Sequence, residues 1–139
     1  MKVMIDLNVI LDVVQKREPH FGASSEVLAL AAKNRLNASV PAHCLTTLHY
    51  IIQKRADTAA ANNTIDWILG KLHVQPENER AFLRARSLPM NDFEDAVVAA
   101  IAESAGCAAI ITRNITDFRK SPVHAVTPEE FIATLPSKK

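Results

Sequence analysis

The sequence predicts an α/β fold. A mostly parallel central sheet lies between two helical layers, a three-layer α/β/α sandwich, as a single domain over residues 1–139. Three observations predict it. Short apolar runs alternate with alanine- and leucine-rich stretches of helical spacing. The apolar runs lack strict period-two alternation, which is the pattern of strands covered on both faces. Three glycines and seven prolines are too few turn formers for a β-sandwich or barrel.

Each element follows from local signals. Val3-Met4-Ile5 is a first buried strand, closed by Asp6. Asn8 is a good N-cap, and Val9, Leu11, Asp12 and Val13 then form a short helix in which Asp12 reads as an exposed residue. Arg17-Glu18-Pro19 is a break. His20 to Asn34 is helical through Val27, Leu28, Ala31 and Ala32, with Ser24 or Ser25 as its cap. Asn37 to Pro41 is a strand that proline stops. Two helices follow, one marked by Leu45, Leu48, Ile51 and Ile52, the next running from Ala59 to Leu72. His73-Val74-Gln75 is a brief extended piece, and Glu77 to Ser87 a helix. Asp92 to Ala105 is the best-defined helix, with Gly106 where a C-cap glycine belongs. Ala108 to Thr112 and Val123 to Val126 are further strands. Thr127-Pro128-Glu129-Glu130 is a capping sequence with proline at the first helical position, opening a last helix.

Composition narrows the function. Sixteen basic against fifteen acidic side chains leave a net charge of +1, which argues against a polybasic binder held mainly by phosphate neutralisation. The two cysteines, Cys44 and Cys107, match no zinc or redox spacing and read as free, buried thiols of a reducing compartment. No apolar run reaches the length of a membrane span, and a charge at Asp6 comes too early for a signal peptide, so a cytoplasmic protein without membrane contact is expected. The five histidines show no metal-ligand pairing and read as surface or capping residues.

Ligands of parallel α/β sheets bind beyond the carboxyl ends of the strands. Two strands end in polar chemistry there, Asp6-Leu7-Asn8 and Thr112-Arg113-Asn114 with Asp117 three residues on. A third group is Asp92-Phe93-Glu94-Asp95 at a helix start. Acids in a first helical turn are favoured by the macrodipole even without a function. Asp95, however, adjoins the apolar face of Ala96, Val98, Ala99 and Ala102, and Asp6 follows a buried strand, where an unpaired acid is costly. Widely spaced carboxylates at strand ends suit hard divalent cations, which take oxygen ligands and keep several waters. No glycine-rich phosphate loop or Walker sequence is present.

In order and spacing, MKVMIDLNVILDV, NDFEDAVVAAIAESAG, AAIITRNITDF and TPEEFI resemble the PIN-domain family over nearly the whole chain, in particular its bacterial VapC-like toxin branch. The resemblance implies an α/β/α fold and a Mg²⁺- or Mn²⁺-dependent endoribonuclease acting on single-stranded RNA. It implies Asp6, Asp95 and Asp117 as catalytic acids and, with Asp92, as metal ligands. Asn8, Thr112, Asn114 and Glu94 would support them. It also implies an antitoxin protein and a homodimer as partners. The apolar helices near 43–54 and 59–72 are candidate faces for that dimer. Arg113, at a strand end, is expected to face a substrate phosphate.

One departure matters. The family usually places a glutamate in the helix after the second strand. Here Cys44 to Tyr50 contains no acid, and Thr46, Thr47 or His49 would stand in that place. The alternative reading is therefore a catalytically weakened PIN-like module that binds RNA or protein. A phosphohydrolase of the aspartyl-phosphate type is disfavoured because Asn8 replaces the second acid of its D-x-D pair.

Overall fold

The computed structural model describes residues 1–136. In chain order it contains β1 (Lys2–Ile5), α1 (Leu7–Val14), α2 (Phe21–Ala32), β2 (Asn37–Pro41), α3 (Ala42–Arg55), α4 (Thr58–Lys71), β3 (His73–Gln75), α5 (Glu79–Ser87), α6 (Phe93–Ser104), β4 (Ala109–Ile111), a 3-10 turn (Ile115–Phe118), β5 (Ala125–Val126) and α7 (Pro128–Ala133). The expected order of strands and helices is present, with the 3-10 turn added between β4 and β5. The five strands pair in the order β3-β2-β1-β4-β5, and every pairing is parallel. The sheet is thus wholly rather than mostly parallel.

The three layers follow from the pleat. Val3 and Ile5 of β1 point into one core with Ile111, Leu48, Ile52, Ile68 and Phe131. Met4 and Ile110 point the other way, against Ala81, Ala85 and the residues of α6. One register step would exchange the two faces. Residues 96–102 of α6 are all buried, so this helix is apolar on every side, and small side chains let it lie close to its neighbours. Gly106 ends it at φ +74°. The Cys107 amide donates to Ala102 at 2.9 Å and the Gly106 amide to Glu103 at 3.1 Å, the paired bonds of a Schellman motif. At α7 the capping box of Thr127 and Glu130 forms as expected.

Two expected caps are corrected. Asp6, not Asn8, caps α1: its backbone is extended and its Oδ1 accepts from the Leu7 amide at 2.8 Å. The helix therefore starts two residues earlier, directly after the strand-end acid. Neither Ser24 nor Ser25 caps α2, which enters from His20 without a side-chain cap. Ser24 lies inside the helix, fully buried, and donates to Asp12. Cys44 and Cys107 are free and buried, as expected. No helix among the described residues is long and apolar enough to cross a membrane.

Candidate active site

The carboxyl ends of β1 and β4 are adjacent because these strands pair in register, Ile5 opposite Ile111. Their following residues form one hydrogen-bonded unit. The Asp6 amide donates to the Ile111 carbonyl at 3.0 Å. The Thr112 hydroxyl donates to Asp6 Oδ2 at 2.8 Å, and Asn8 Nδ2 reaches the same oxygen at 3.3 Å. Asn8 Oδ1 accepts from the Arg113 amide at 3.2 Å, and the Thr112 hydroxyl oxygen accepts from the Asn114 amide at 3.1 Å. Asn8 and Thr112 thus brace the Asp6 carboxylate, whereas Asn114 joins through its backbone. Asp6 is buried, and burial pushes its pKa up. The bonds from Thr112 and Leu7 pull it down, and the Glu94 charge adds to the rise.

The start of α6 brings the second acid. Asp92 caps the helix, accepting from the Asp95 amide at 2.9 Å. The reciprocal bond of a full capping box is not formed among the described residues, so the Asp95 carboxylate is not tied up as a cap. Asp95 is half-buried and its pKa is pushed up to about 7. Burial is the largest cause, followed by the charges of Asp92, Asp6, Asp117 and Glu94. Five acids from three separate stretches of sequence therefore share one electrostatic environment. Asp117 comes from the exposed side of the 3-10 turn, which buried Phe118 anchors against α6.

Arg113 departs from its expected role. Its Nε lies 2.8 Å from Asp12 Oδ2 in an ion pair whose N–H is not aligned for a hydrogen bond. Asp12 is correspondingly not an exposed helix residue but has 0% exposure. Val9, Ile10 and Leu11 are buried too, so α1 is enclosed nearly all round and a polar residue within it must find an internal partner. Arg113 is that partner, and the pair locks α1 to the end of β4.

The sequence model of the PIN domain matches residues 2–116. The chain belongs to the PIN-domain family. It is 27% identical over 135 residues to Ribonuclease VapC1 of Aquifex aeolicus (strain VF5), covering 94% of this chain and 92% of that one. The fold matches VapBC2 from Rickettsia felis, a complex bound to a DNA fragment from its promoter, with a TM-score of 0.72, 19% identity and coverage of 91% and 98% of the two chains. It also matches Mycobacterium tuberculosis VapC20, described as a sarcin-ricin loop cleaving toxin, with a TM-score of 0.68, 14% identity and coverage of 87% and 95%.

From the first turn of α3, His43 reaches toward two acids. Its Nδ1 lies 3.5 Å from Glu77 Oε1 and its Nε2 3.7 Å from Glu94 Oε2. His43 also lies within charge range of Asp6. Neither His43 nor Glu77 carries a motif that reveals this, because each becomes a neighbour of the acids only when β2 and β3 align. His49 is corrected as a stand-in for the missing acid: its Nε2 is 2.8 Å from Asn62 on α4, away from the cleft. Thr46 is exposed. Thr47 lies one turn after His43 on the same helix face, its hydroxyl donating to the His43 carbonyl at 3.4 Å.

The donor set of this PIN domain fits a hard cation. It is all oxygen, and burial, with the neighbouring acid charges second, pushes the Asp95 pKa up. Among the described residues no three His, Cys, Asp or Glu side chains already stand close enough to grip one ion. A cation that keeps several waters, as Mg²⁺ does, matches such a loose set better than one needing a closed cage.

Proposed function

We propose that this chain is a divalent-metal-dependent endoribonuclease acting on single-stranded RNA, the toxin of a toxin–antitoxin pair, and that it works in the cytoplasm. One observation carries the reading: Asp95 shares its electrostatic environment with Asp6, Asp92, Asp117 and Glu94, at the carboxyl end of the sheet where α/β ligands bind. The relationship to Ribonuclease VapC1 and the VapBC-like fold support the reaction class and a protein antitoxin.

Asp6, Asp95 and Asp117, with Asp92, would hold Mg²⁺ or Mn²⁺. The bound ion supplies Lewis acidity toward the phosphodiester and its leaving oxygen. The remaining work belongs to the chain. Thr112 and Asn8 fix the Asp6 carboxylate at the end of the sheet. A carboxylate of the cluster accepts the proton of the attacking water.

Purified protein is expected to cleave single-stranded RNA with added Mg²⁺ or Mn²⁺ and to stop on EDTA addition; cleavage that persists in EDTA would exclude the metal mechanism. Thr112→Val removes the bond that orients Asp6 and is expected to cost about 10–100-fold in Mn²⁺ affinity, read by calorimetry. An unchanged affinity would remove Thr112 from the site. The second reading, a weakened binding module, is favoured by Thr47 standing where a glutamate is usual. Thr47→Glu is expected to tighten Mn²⁺ binding, and a calorimetric titration with no gain would remove the missing acid as a defect.

Self-association belongs to the same reading. Most apolar side chains of α3 and α4 serve the core, leaving Tyr50 and Leu69 outside. A larger apolar surface lies on α5 and α6, where Phe82, Leu83 and Phe93 are 40%, 65% and 48% exposed. The Phe82 and Phe93 rings stack with centroids 6.1 Å apart. Leu83→Lys is expected to convert a dimer to a monomer in light scattering; an unchanged dimer would place the interface elsewhere.

A further inference from the structure

Arg119 and Lys120 follow the site acid Asp117, and the fold gives them a fixed place. Phe118 is 2% exposed and plugs into the core beside α6, so its neighbours on the turn face outward. The loop is braced on both sides. The Arg119 amide donates to Thr116 at 3.3 Å and the Ser121 amide to Phe118 at 3.0 Å. The Ser121 hydroxyl donates to the Val123 carbonyl at 2.7 Å and accepts from the Val123 amide at 3.0 Å. Between this loop and the segment before α6 lies a pocket of about 290 Å³. Asp92 and Asp117 line it with Asn91, Thr116, Arg119 and Lys120.

The charge pattern of this pocket is specific. Acids of the candidate metal centre and two cations line one and the same pocket. Among the described residues neither Arg119 nor Lys120 forms an ion pair. The contrast is Arg84, which lines another cavity but is spent on Glu103 at 2.8 and 3.1 Å. Two cations without an ion pair beside exposed acids leave positive charge available to an anion that reaches past the metal centre. A polynucleotide supplies one, with one phosphate at the metal and the next a nucleotide away.

We propose that this pocket is a phosphate subsite, in which Arg119 and Lys120 hold the phosphodiester adjoining the scissile one in a single-stranded RNA. The inference rests on the nuclease reading of the acids. Phosphate binding of this kind sets the register of a strand and leaves base sequence unread. The Thr116 hydroxyl and Asn91 amide add neutral donors to the same pocket.

The test compares wild type with Arg119→Ala/Lys120→Ala on a dinucleotide and on longer single-stranded RNA, with Arg119→Lys as the charge-conserving control. The KM advantage of the longer RNA is expected to shrink about tenfold in the double variant, the size of one charge-assisted hydrogen bond, and to be retained with Arg119→Lys. Anisotropy with labelled RNA on an Asp95→Asn background is expected to show weaker binding and a salt dependence flatter by about 0.7 for each phosphate that the variant leaves unneutralised. An unchanged length advantage together with an unchanged salt slope would overturn the subsite. If wild type cleaves neither RNA with Mg²⁺ or Mn²⁺, the nuclease reading fails, and the anisotropy still decides whether the pocket holds a phosphate.

Discussion

Asp95→Asn is expected to lower RNA cleavage by about two to four orders of magnitude while raising the melting temperature of the metal-free protein at pH 8. Both effects have one cause. The Asp95 pKa is pushed up to about 7 by burial and by the charges of Asp92, Asp6, Asp117 and Glu94. In the unfolded chain the group titrates near 4. Between those values the folded state holds the proton more tightly, so the Asp95 contribution to stability is fully present below about pH 4 and is lost as pH rises through about 7. Asn carries no charge to repel, so the variant loses this decline. In a domain of this size each kcal/mol relieved raises the melting temperature by about 4 °C. Mn²⁺ should stabilise wild type far more than the variant. A variant with no gain in melting temperature at pH 8 would show that the acids do not strain the fold, and full residual cleavage would remove Asp95 from the mechanism.

Arg113→Ala is expected to destabilise the fold by about 3–5 kcal/mol, measured by urea denaturation. Asp12 is fully buried and Arg113 Nε, 2.8 Å away, is its charged partner, with only Ser24 adding a hydrogen bond at 3.3 Å. Removing the guanidinium leaves a carboxylate inside the core with no counter-ion. Replacing both, as Asp12→Leu with Arg113→Leu, is expected to recover much of the loss, because the penalty comes from the orphaned charge. A loss below about 1 kcal/mol for Arg113→Ala, the level of an exposed pair, would show that the pair is solvated. A change confined to RNA affinity would restore Arg113 to the phosphate-binding role that its strand-end position suggests.

The difference between these two residues shows what a sequence can carry. Asp95 is legible because its signal is local: an acid in the first turn of a helix whose next positions are small and apolar. Asp6 is legible for the same reason, closing an apolar strand. The three layers are legible because residues such as Val3, Met4 and Ile5 form an unbroken apolar run, which only a sheet covered on both faces accommodates. The partnership of Asp12 and Arg113 is not legible, since it joins positions about a hundred residues apart and exists only once β1 pairs with β4. Yet α1 did carry a hint. Val9, Ile10 and Leu11 in succession cannot share a single stripe, so the helix had to be enclosed and its acid with it. His43 and Glu77 gave no such hint, because the meeting of His43 with Glu77 and Glu94 depends on where β2 and β3 end.

The net charge of +1 also takes on a different meaning. Within that total, a carboxylate cluster at the carboxyl end of the sheet lies beside cations that include Arg119 and Lys120. The field that an approaching polynucleotide meets is therefore local, and a divalent cation would offset part of the negative charge at the acids.

The most direct test is anomalous diffraction at the manganese edge from crystals grown with Mn²⁺. The result expected is a peak between the carboxylates of Asp6, Asp95 and Asp117, with Asp92 at its edge. No peak there at a saturating concentration, or a peak only at other surface acids, would contradict the assignment of this cluster as the metal centre.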